Sequence, residues 1–211
     1  MKLQQVTCAF VTAVSLFLSM LPALAASHGN GSAVIEIAAQ ANGGTLSETL
    51  ADRLMPLPGI VRVEKYLLVR GSQIDKIGIE PGAPIRILTE DGQLIIGQVK
   101  FGRDFRETDA GKNVALVNEV SLVSAAMTEM EMPVSVGQGF TLGDRRFRVA
   151  GEVAAPTKGK AFFPLDTLQD VAGKNGLVTS FFVVLAKNAD ANAVQNAVEE
   201  ALGPTISTTL H

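Results

Sequence analysis

Apolar positions along this chain fall into three patterns. The first is an apolar stretch, residues 6–24, diluted only by Thr7, Thr12, Ser15, Ser19 and Pro22. After it, no apolar run approaches the roughly 20 residues that a membrane-spanning helix needs. The second is a β-α-β rhythm that occurs once near each end of the remainder. Residues 33–38 alternate as a short strand, and Thr45-Leu46-Ser47-Glu48 reads as a capping box opening a helix. Leu46, Leu50 and Leu54 supply that helix with one apolar face, and Pro56 and Pro58-Gly59 stop it. A strand resumes over residues 60–69, with Val61, Val63, Tyr66 and Leu68 expected to point inward. Near the other end, residues 178–185 form a strand rich in Phe and Val. The polar turn 187–190 then leads to a helix with Val194, Ala197, Val198, Ala201 and Leu202 on one face. Gly203-Pro204 ends that helix, and residues 205–209 return as a strand.

The third pattern, residues 73–176, consists mostly of short strands. Residues 85–88 and 94–101 flank Glu90-Asp91-Gly92, a hairpin-turn signal. Residues 114–117, 140–142 and 145–153 continue the series, with Gly143-Asp144 turning the last pair. One helix is expected over residues 119–131, and a short one after Pro164. The fold class that follows is α+β. Residues 33–72 plus 177–211 form a split α/β subdomain of two β-α-β units, and residues 73–176 are a β-rich subdomain inserted between them.

Composition changes the reading of the first pattern most. Lys2 precedes the apolar run, and Ala23-Leu24-Ala25 closes it with a small-x-small signature, so residues 1–25 read as a signal peptide cleaved after Ala25. The alternative is an uncleaved single membrane anchor. Cleavage removes Lys2 and no acid, taking the formal net charge from −3 to −4. That balance offers no basic footprint for nucleic acid. It also removes Cys8, the chain's one cysteine, so the exported part must be held by its apolar core rather than by disulfides. The absence of Trp, with Tyr66 the one tyrosine, argues against aromatic platforms for carbohydrate.

Much common catalytic chemistry has no residues here to carry it. His28 and His211, the two histidines, sit beside the cleavage point and at the last position, which disfavours His-based acid–base or triad catalysis. Gly111-Lys112, Gly159-Lys160 and Gly173-Lys174 lack the Ser/Thr and the spacing of a phosphate loop. Gly137-Gln138-Gly139-Phe140-Thr141-Leu142-Gly143 is one residue too long for a dinucleotide fingerprint and leads into a strand. Asp104, Glu107 and Asp109 cluster near Arg103 and Arg106 and could serve as paired carboxylates, but mixed charge around a turn more often pairs with itself. Met127, Met130 and Met132 offer soft ligands for Cu(I), against the plainer reading of a packed helix face. No catalytic, cofactor-binding or metal-ligating residue is therefore assigned, and no cofactor is expected.

Several motifs in order resemble the periplasmic core domain of MacB-like ABC transporter permeases, a family that includes the LolC/LolE lipoprotein-releasing and FtsX-like proteins. They are Leu57-Pro58-Gly59-Ile60-Val61-Arg62-Val63, then Gly102-Arg103-Asp104-Phe105 with Asp109, and Val114-Ala115-Leu116-Val117. Met132-Pro133-Val134-Ser135-Val136-Gly137, Phe147-Arg148-Val149-Ala150-Gly151-Glu152-Val153 and Ala161-Phe162-Phe163-Pro164-Leu165 follow. The resemblance implies an α/β part made from both chain ends and an inserted β-rich part. It also implies a role in engaging an adaptor or substrate outside the membrane. The ATPase segment and the later membrane helices of such permeases have no counterpart in the pattern.

The expectation is an exported, periplasmic or otherwise extracytoplasmic, non-enzymatic binding or accessory module. Its partners would be an ABC transporter permease/ATPase complex or an adaptor protein, with no nucleic acid. Membrane association would run through that partner or through an uncleaved N-terminal segment. The alternative is the membrane-anchored N-terminal part of a split ABC-type permease. A Met-based copper binder or an acidic-site enzyme stands behind both.

Overall fold

Alternation along residues 178–185 places large side chains on both faces of one strand, and that strand organises a sheet. A computed structural model describes residues 33–40, 44–71, 75–83, 86–88, 94–96, 98–118, 136–154 and 160–211. The signal-peptide or anchor segment, the helix expected over 119–131, and Met127, Met130 and Met132 lie outside the described residues.

The N-terminal stretch supplies β1 (Val34–Ala39), β2 (Leu46–Ser47), α1 (Ala51–Leu54) and β3 (Ile60–Val69). The C-terminal stretch supplies β12 (Leu177–Val178), β13 (Ser180–Leu185), α3 (Ala191–Leu202) and β14 (Ile206–Leu210). Between them lie β4 (Asp75–Ile79), β5 (Arg86–Leu88), β6 (Leu94–Ile96), β7 (Gln98–Gly102) and β8 (Val114–Val117). Then come β9 (Gly139–Leu142), β10 (Arg145–Ala154), β11 (Lys160–Pro164) and α2 (Leu165–Val171). The fold is α+β, dominated by a mixed ten-stranded sheet in the order β14-β1-β13-β3-β4-β11-β8-β10-β7, with β9 paired to β10.

The strands from the two chain ends interleave. β13 is antiparallel to both β1 and β3, and β1 is antiparallel to β14. The sheet then continues through β4, antiparallel to β3, and β11, parallel to β4. Strands of the central stretch thus extend the same sheet.

Both faces of the sheet are apolar, as the alternation in β13 requires. Phe181, Val183 and Leu185 join one core with Ile35, Ile37, Leu67, Phe163 and Val149. Ala51, Leu54, Leu165, Leu168, Val194 and Val198 belong to that core too, so all three described helices cover this face. Phe182 and Val184 enter a second core with Val34, Tyr66, Ile77, Ile79, Leu116, Phe162 and Phe105. Aromatic contacts mark each: Phe147 meets Phe163 edge-on at 5.1 Å, and Tyr66 meets Phe182 edge-on at 4.7 Å.

Local chemistry accounts for several boundaries. Asp190 caps α3, its carboxylate accepting from the amides of Asn192 at 3.0 Å and Ala193 at 3.1 Å. The short helix after Pro164 and the 142–145 hairpin form where the pattern places them. The capping box at Thr45 does not form. Leu46 and Ser47 are extended and pair with Leu177 and Val178, a 3-10 turn occupies Glu48–Leu50, and helix begins only at Ala51. Glu48 instead accepts from the Gln169 side-chain amide at 3.0 Å. The strand expected over 94–101 is divided between two sheets: β6 pairs with β5, and β7 pairs with β10. Val61 is exposed rather than inward, because the register of β3 with β13 shifts from Arg62 to Ile60 and leaves Val61 as the bulged residue while Ile60 packs on the first core.

Phe163 is fully buried beneath Phe140 and Phe147. Replacing it with alanine is expected to cost roughly 3–5 kcal/mol, because the cavity sits between rigid strands and cannot collapse. Equilibrium urea unfolding checks this, with a lowered midpoint and an unchanged slope.

Candidate functional site

The loop leaving β7 carries most of the charged residues that the sequence singles out, and β10 makes that loop's path necessary. β7 and β10 meet at Gly102 and Gly151, beside irregularities in the register of β10 with both its neighbours. Gly102 has φ +77°, and a Cβ there would collide with the Ala150 carbonyl oxygen. A Cβ on Gly151 would stand 2.6 Å from the Arg103 carbonyl oxygen and 2.9 Å from that of Phe101. The two backbones can cross this closely only with glycine on both sides.

After the crossing, the chain is tied into a compact turn. Arg103 grips Asp109 with both terminal nitrogens, Nη1 to Oδ2 at 2.5 Å and Nη2 to Oδ1 at 3.0 Å. Arg103 Nη1 also donates to the Asp104 carbonyl at 2.8 Å. The Arg106 amide donates to Asp109 Oδ2 at 2.9 Å, and the Asp109 amide returns to the Arg106 carbonyl at 2.8 Å, closing a 3-10 turn over Glu107–Asp109. Asp104 accepts from the Phe105 amide at 2.6 Å, and this directs the Phe105 ring into the second core, where it is buried. The turn is a fastener: its ion pair fixes Phe105 as a plug at the edge of the core.

Electrostatics follow from these contacts. The Arg103 guanidinium, and then the Arg106 amide, hold the buried Asp109 carboxyl below its ordinary range against the opposing effect of burial. The same hydrogen bonds to Asp109 raise the Arg103 pKa. Asp104 shifts upward, because burial outweighs the Phe105 amide and Arg103. Two carboxyls of the 104–109 cluster are therefore pushed apart, but both oxygens of Asp109 are already engaged by Arg103. The cluster is the self-paired loop, not an open acid–base pair.

Next to the fastener lies a groove of about 240 Å³, lined by Gly102, Arg103, Val114, Val136, Gly137, Arg148, Val149 and Ala150. Four separate segments meet here: the β7 exit, the start of β8, the turn before β9 and the middle of β10. Arg148 lies beside Val114 and Gly139 in register and is exposed. Among the described residues it has no ion-pair or hydrogen-bond partner through its side chain, whereas Arg103 is committed to Asp109 and Arg145 to Asp170. In sequence Arg148 is one polar residue alternating along a strand; nothing there distinguishes it from Arg146. The 137–143 glycine stretch, which leads into a strand as expected, contributes only its first turn to this groove.

His211 is held more firmly than a terminal residue is expected to be. Its backbone exchanges bonds with Val34 at 2.8 and 3.3 Å, and its ring lies 3.4 Å from Glu36 Oε2. Burial raises the Glu36 carboxyl, with His211 partly offsetting the shift. Tyr66 is buried rather than presented to a ligand. Among the described residues, no three His, Cys, Asp or Glu side chains converge as a metal site, and no helix is long and apolar enough to cross a membrane.

Comparison with known proteins gives a consistent picture. A model of the MacB-like periplasmic core domain matches residues 7–201. The structure is similar to the periplasmic region of MacB from Actinobacillus actinomycetemcomitans, at a TM-score of 0.62 and 16% identity, covering 84% of this chain and 87% of that one. It is also similar to the extracellular domain of the noncanonic ABC-type transporter YknZ from Gram-positive bacteria, at a TM-score of 0.59 and 13% identity, covering 83% of this chain and 99% of that one. No curated protein matches the chain.

The fastener gives a pH dependence with a definite sign. Asp109 titrates lower in the folded chain than in the unfolded one, where a free Asp lies near about 3.9. Its contribution is complete above that value and is lost as pH falls through the folded-state value. Asp109→Asn is expected to cost roughly 1–3 kcal/mol near neutral pH, toward the lower end because the Arg103 side chain is 35% exposed. The difference from the parent protein should shrink as pH falls below the ordinary aspartate range. Urea midpoints measured across that range provide the check.

Proposed function

Because the chain belongs to the MacB-like periplasmic core domain family, we propose that it is an exported, non-enzymatic binding module that presents a surface to a transporter component, an adaptor or an exported ligand. The observation that carries this reading is the family match, which spans nearly the whole chain rather than one motif. The two solved relatives support it, being the periplasmic region of MacB and the extracellular domain of an ABC-type transporter. In this reading residues 33–72 with 177–211 act as the base and residues 73–176 as the inserted part that carries the groove. Interleaving of β1, β3, β13 and β14 supports such a division. The module works outside the cytoplasm, released by cleavage after Ala25, and meets the membrane through its partner.

A second reading has its own support. The family match begins at residue 7, inside the apolar run, so that run aligns with part of the family domain rather than lying ahead of it. This favours an uncleaved anchor and a split permease whose other membrane segments come from a separate chain.

Affinity purification from detergent-solubilised envelopes is expected to recover an ABC permease, its ATPase or an adaptor, identified by mass spectrometry. Recovery of the protein alone would count against both readings. The mass of the mature N-terminus separates them. A chain starting at Ala26 in the soluble fraction supports the released module, and an intact start in the membrane fraction supports the anchor.

A further inference from the structure

We propose that the groove between Arg103 and Arg148 is the docking site for an acidic segment of a protein partner, with Arg148 pairing to a carboxylate and Val136 flanking it as an apolar contact. This rests on the reading of the chain as a binding module and names the surface and partner chemistry. Three observations carry it.

The first is charge placement. The chain as a whole has 18 Lys and Arg against 21 Asp and Glu. The two stretches that build the groove, 98–118 and 136–154, reverse this, with seven basic against five acidic residues. Much of that charge is internally neutralised: Arg103 grips Asp109, and Arg145 pairs with Asp170. Arg148 is the groove cation without a partner among the described residues, and Arg146 lies exposed two positions along the same face of β10. An arginine of this kind prefers a planar carboxylate, which it can meet with two parallel hydrogen bonds.

The second is the apolar surround. Val114 and Ala150 form the floor, as the partly buried margin of the second core. Val136, on the wall, is 37% exposed. An apolar floor and an exposed apolar wall beside an unpaired arginine exclude water from an ion pair formed there, as at the centre of an interface.

The third is size and rigidity. The groove, at about 240 Å³, takes one or two side chains rather than an extended polymer. Its walls are fixed by the Gly102/Gly151 crossing and by the Arg103–Asp109 fastener, so little ordering is needed on binding. A polyanion such as nucleic acid or an anionic membrane would meet this small cationic spot on an otherwise acidic molecule and be repelled around it. A short acidic peptide segment meets only the spot.

The test uses the protein without residues beyond its natural chain, labelled with ¹⁵N. The probe is the peptide acetyl-Glu-Leu-Asp-Phe-Glu-amide, with its Gln and Asn counterpart and vesicles of phosphatidylglycerol as comparisons. Saturable amide shifts at Gly102, Val114, Gly137 and Ala150 are expected with the acidic peptide. Affinity should fall about tenfold in Arg148→Gln, a loss of about 1.4 kcal/mol, and should fall less in Arg148→Lys, which keeps the charge but loses the two-bond fork. Unchanged shifts elsewhere in the Arg148→Gln spectrum show that its fold is intact. Absence of saturable shifts, equal affinity for the neutral peptide, or response to the vesicles alone would each overturn the inference. A transporter partner that co-purifies equally with the Arg148→Glu variant would also overturn it, while leaving the proposed function standing. Failure to recover any partner strikes the proposed function instead, and the peptide titration then decides the groove separately.

Discussion

Everything in this fold depends on the insertion of β13 between β1 and β3. All six residues of that strand are buried, three facing the helix-covered core and Phe182 and Val184 facing the second core. Its partners come from residues 34–39 and 60–69, more than a hundred positions earlier. Until β13 arrives, β1 and β3 have no common neighbour, and the second core lacks the Phe182 half of its edge-on pair with Tyr66. The entropy of closing so long a loop must be met before any of this burial is gained, which makes the sheet a slow, cooperative assembly. The rest grows outward from that centre, β14 on one side and β4 to β7 on the other.

That arrangement explains why the groove sits where it does. The strands farthest from β13 form the end of the sheet where the chain must turn, cross and return. Gly102 and Gly151 let two backbones pass at less than ordinary side-chain distance, and the register irregularities there bend β10. The bend exposes the margin of the second core at Val114 and Ala150, and the Arg103–Asp109 pair with Phe105 seals the adjacent edge. A site at this end combines a rigid frame with exposed side chains, which is what a contact surface for another protein requires.

Much of the framework was legible in residue pattern. The α3 helix shows its apolar face in Val194 and Val198 and its stop in Gly203-Pro204, because amphipathic spacing and capping chemistry act within a dozen residues. Strand β10 shows its alternation, and β8 and β13 show as short continuous apolar runs, for the same local reason. The misreadings have one cause in common. Leu46 and Ser47 fit a helix start, but their backbone bonds go to Leu177 and Val178, a partner that local pattern cannot reveal. The apolar run over 94–101 gave no sign that β6 and β7 belong to different sheets, since pairing is decided by which edge is available. The charged cluster at 103–109 was readable as self-pairing, but the bidentate grip on Asp109 and the burial of Phe105 depended on the crossing beneath them.

The sequence by itself determined the class of the fold, most of its elements, the family it resembles and the shortage of His- or Cys-based chemistry. These are properties of composition, of periods two and 3.6, and of short motifs, all set by neighbours along the chain. Tertiary structure alone decided strand order, the two-sided core and the groove. Each of these joins segments tens to more than a hundred residues apart. Arg148 shows the difference most clearly. In the chain it is an ordinary polar position on a strand; in the fold, Arg103 across the groove is paired to Asp109 and Arg148 is left as an uncompensated charge beside exposed Val136.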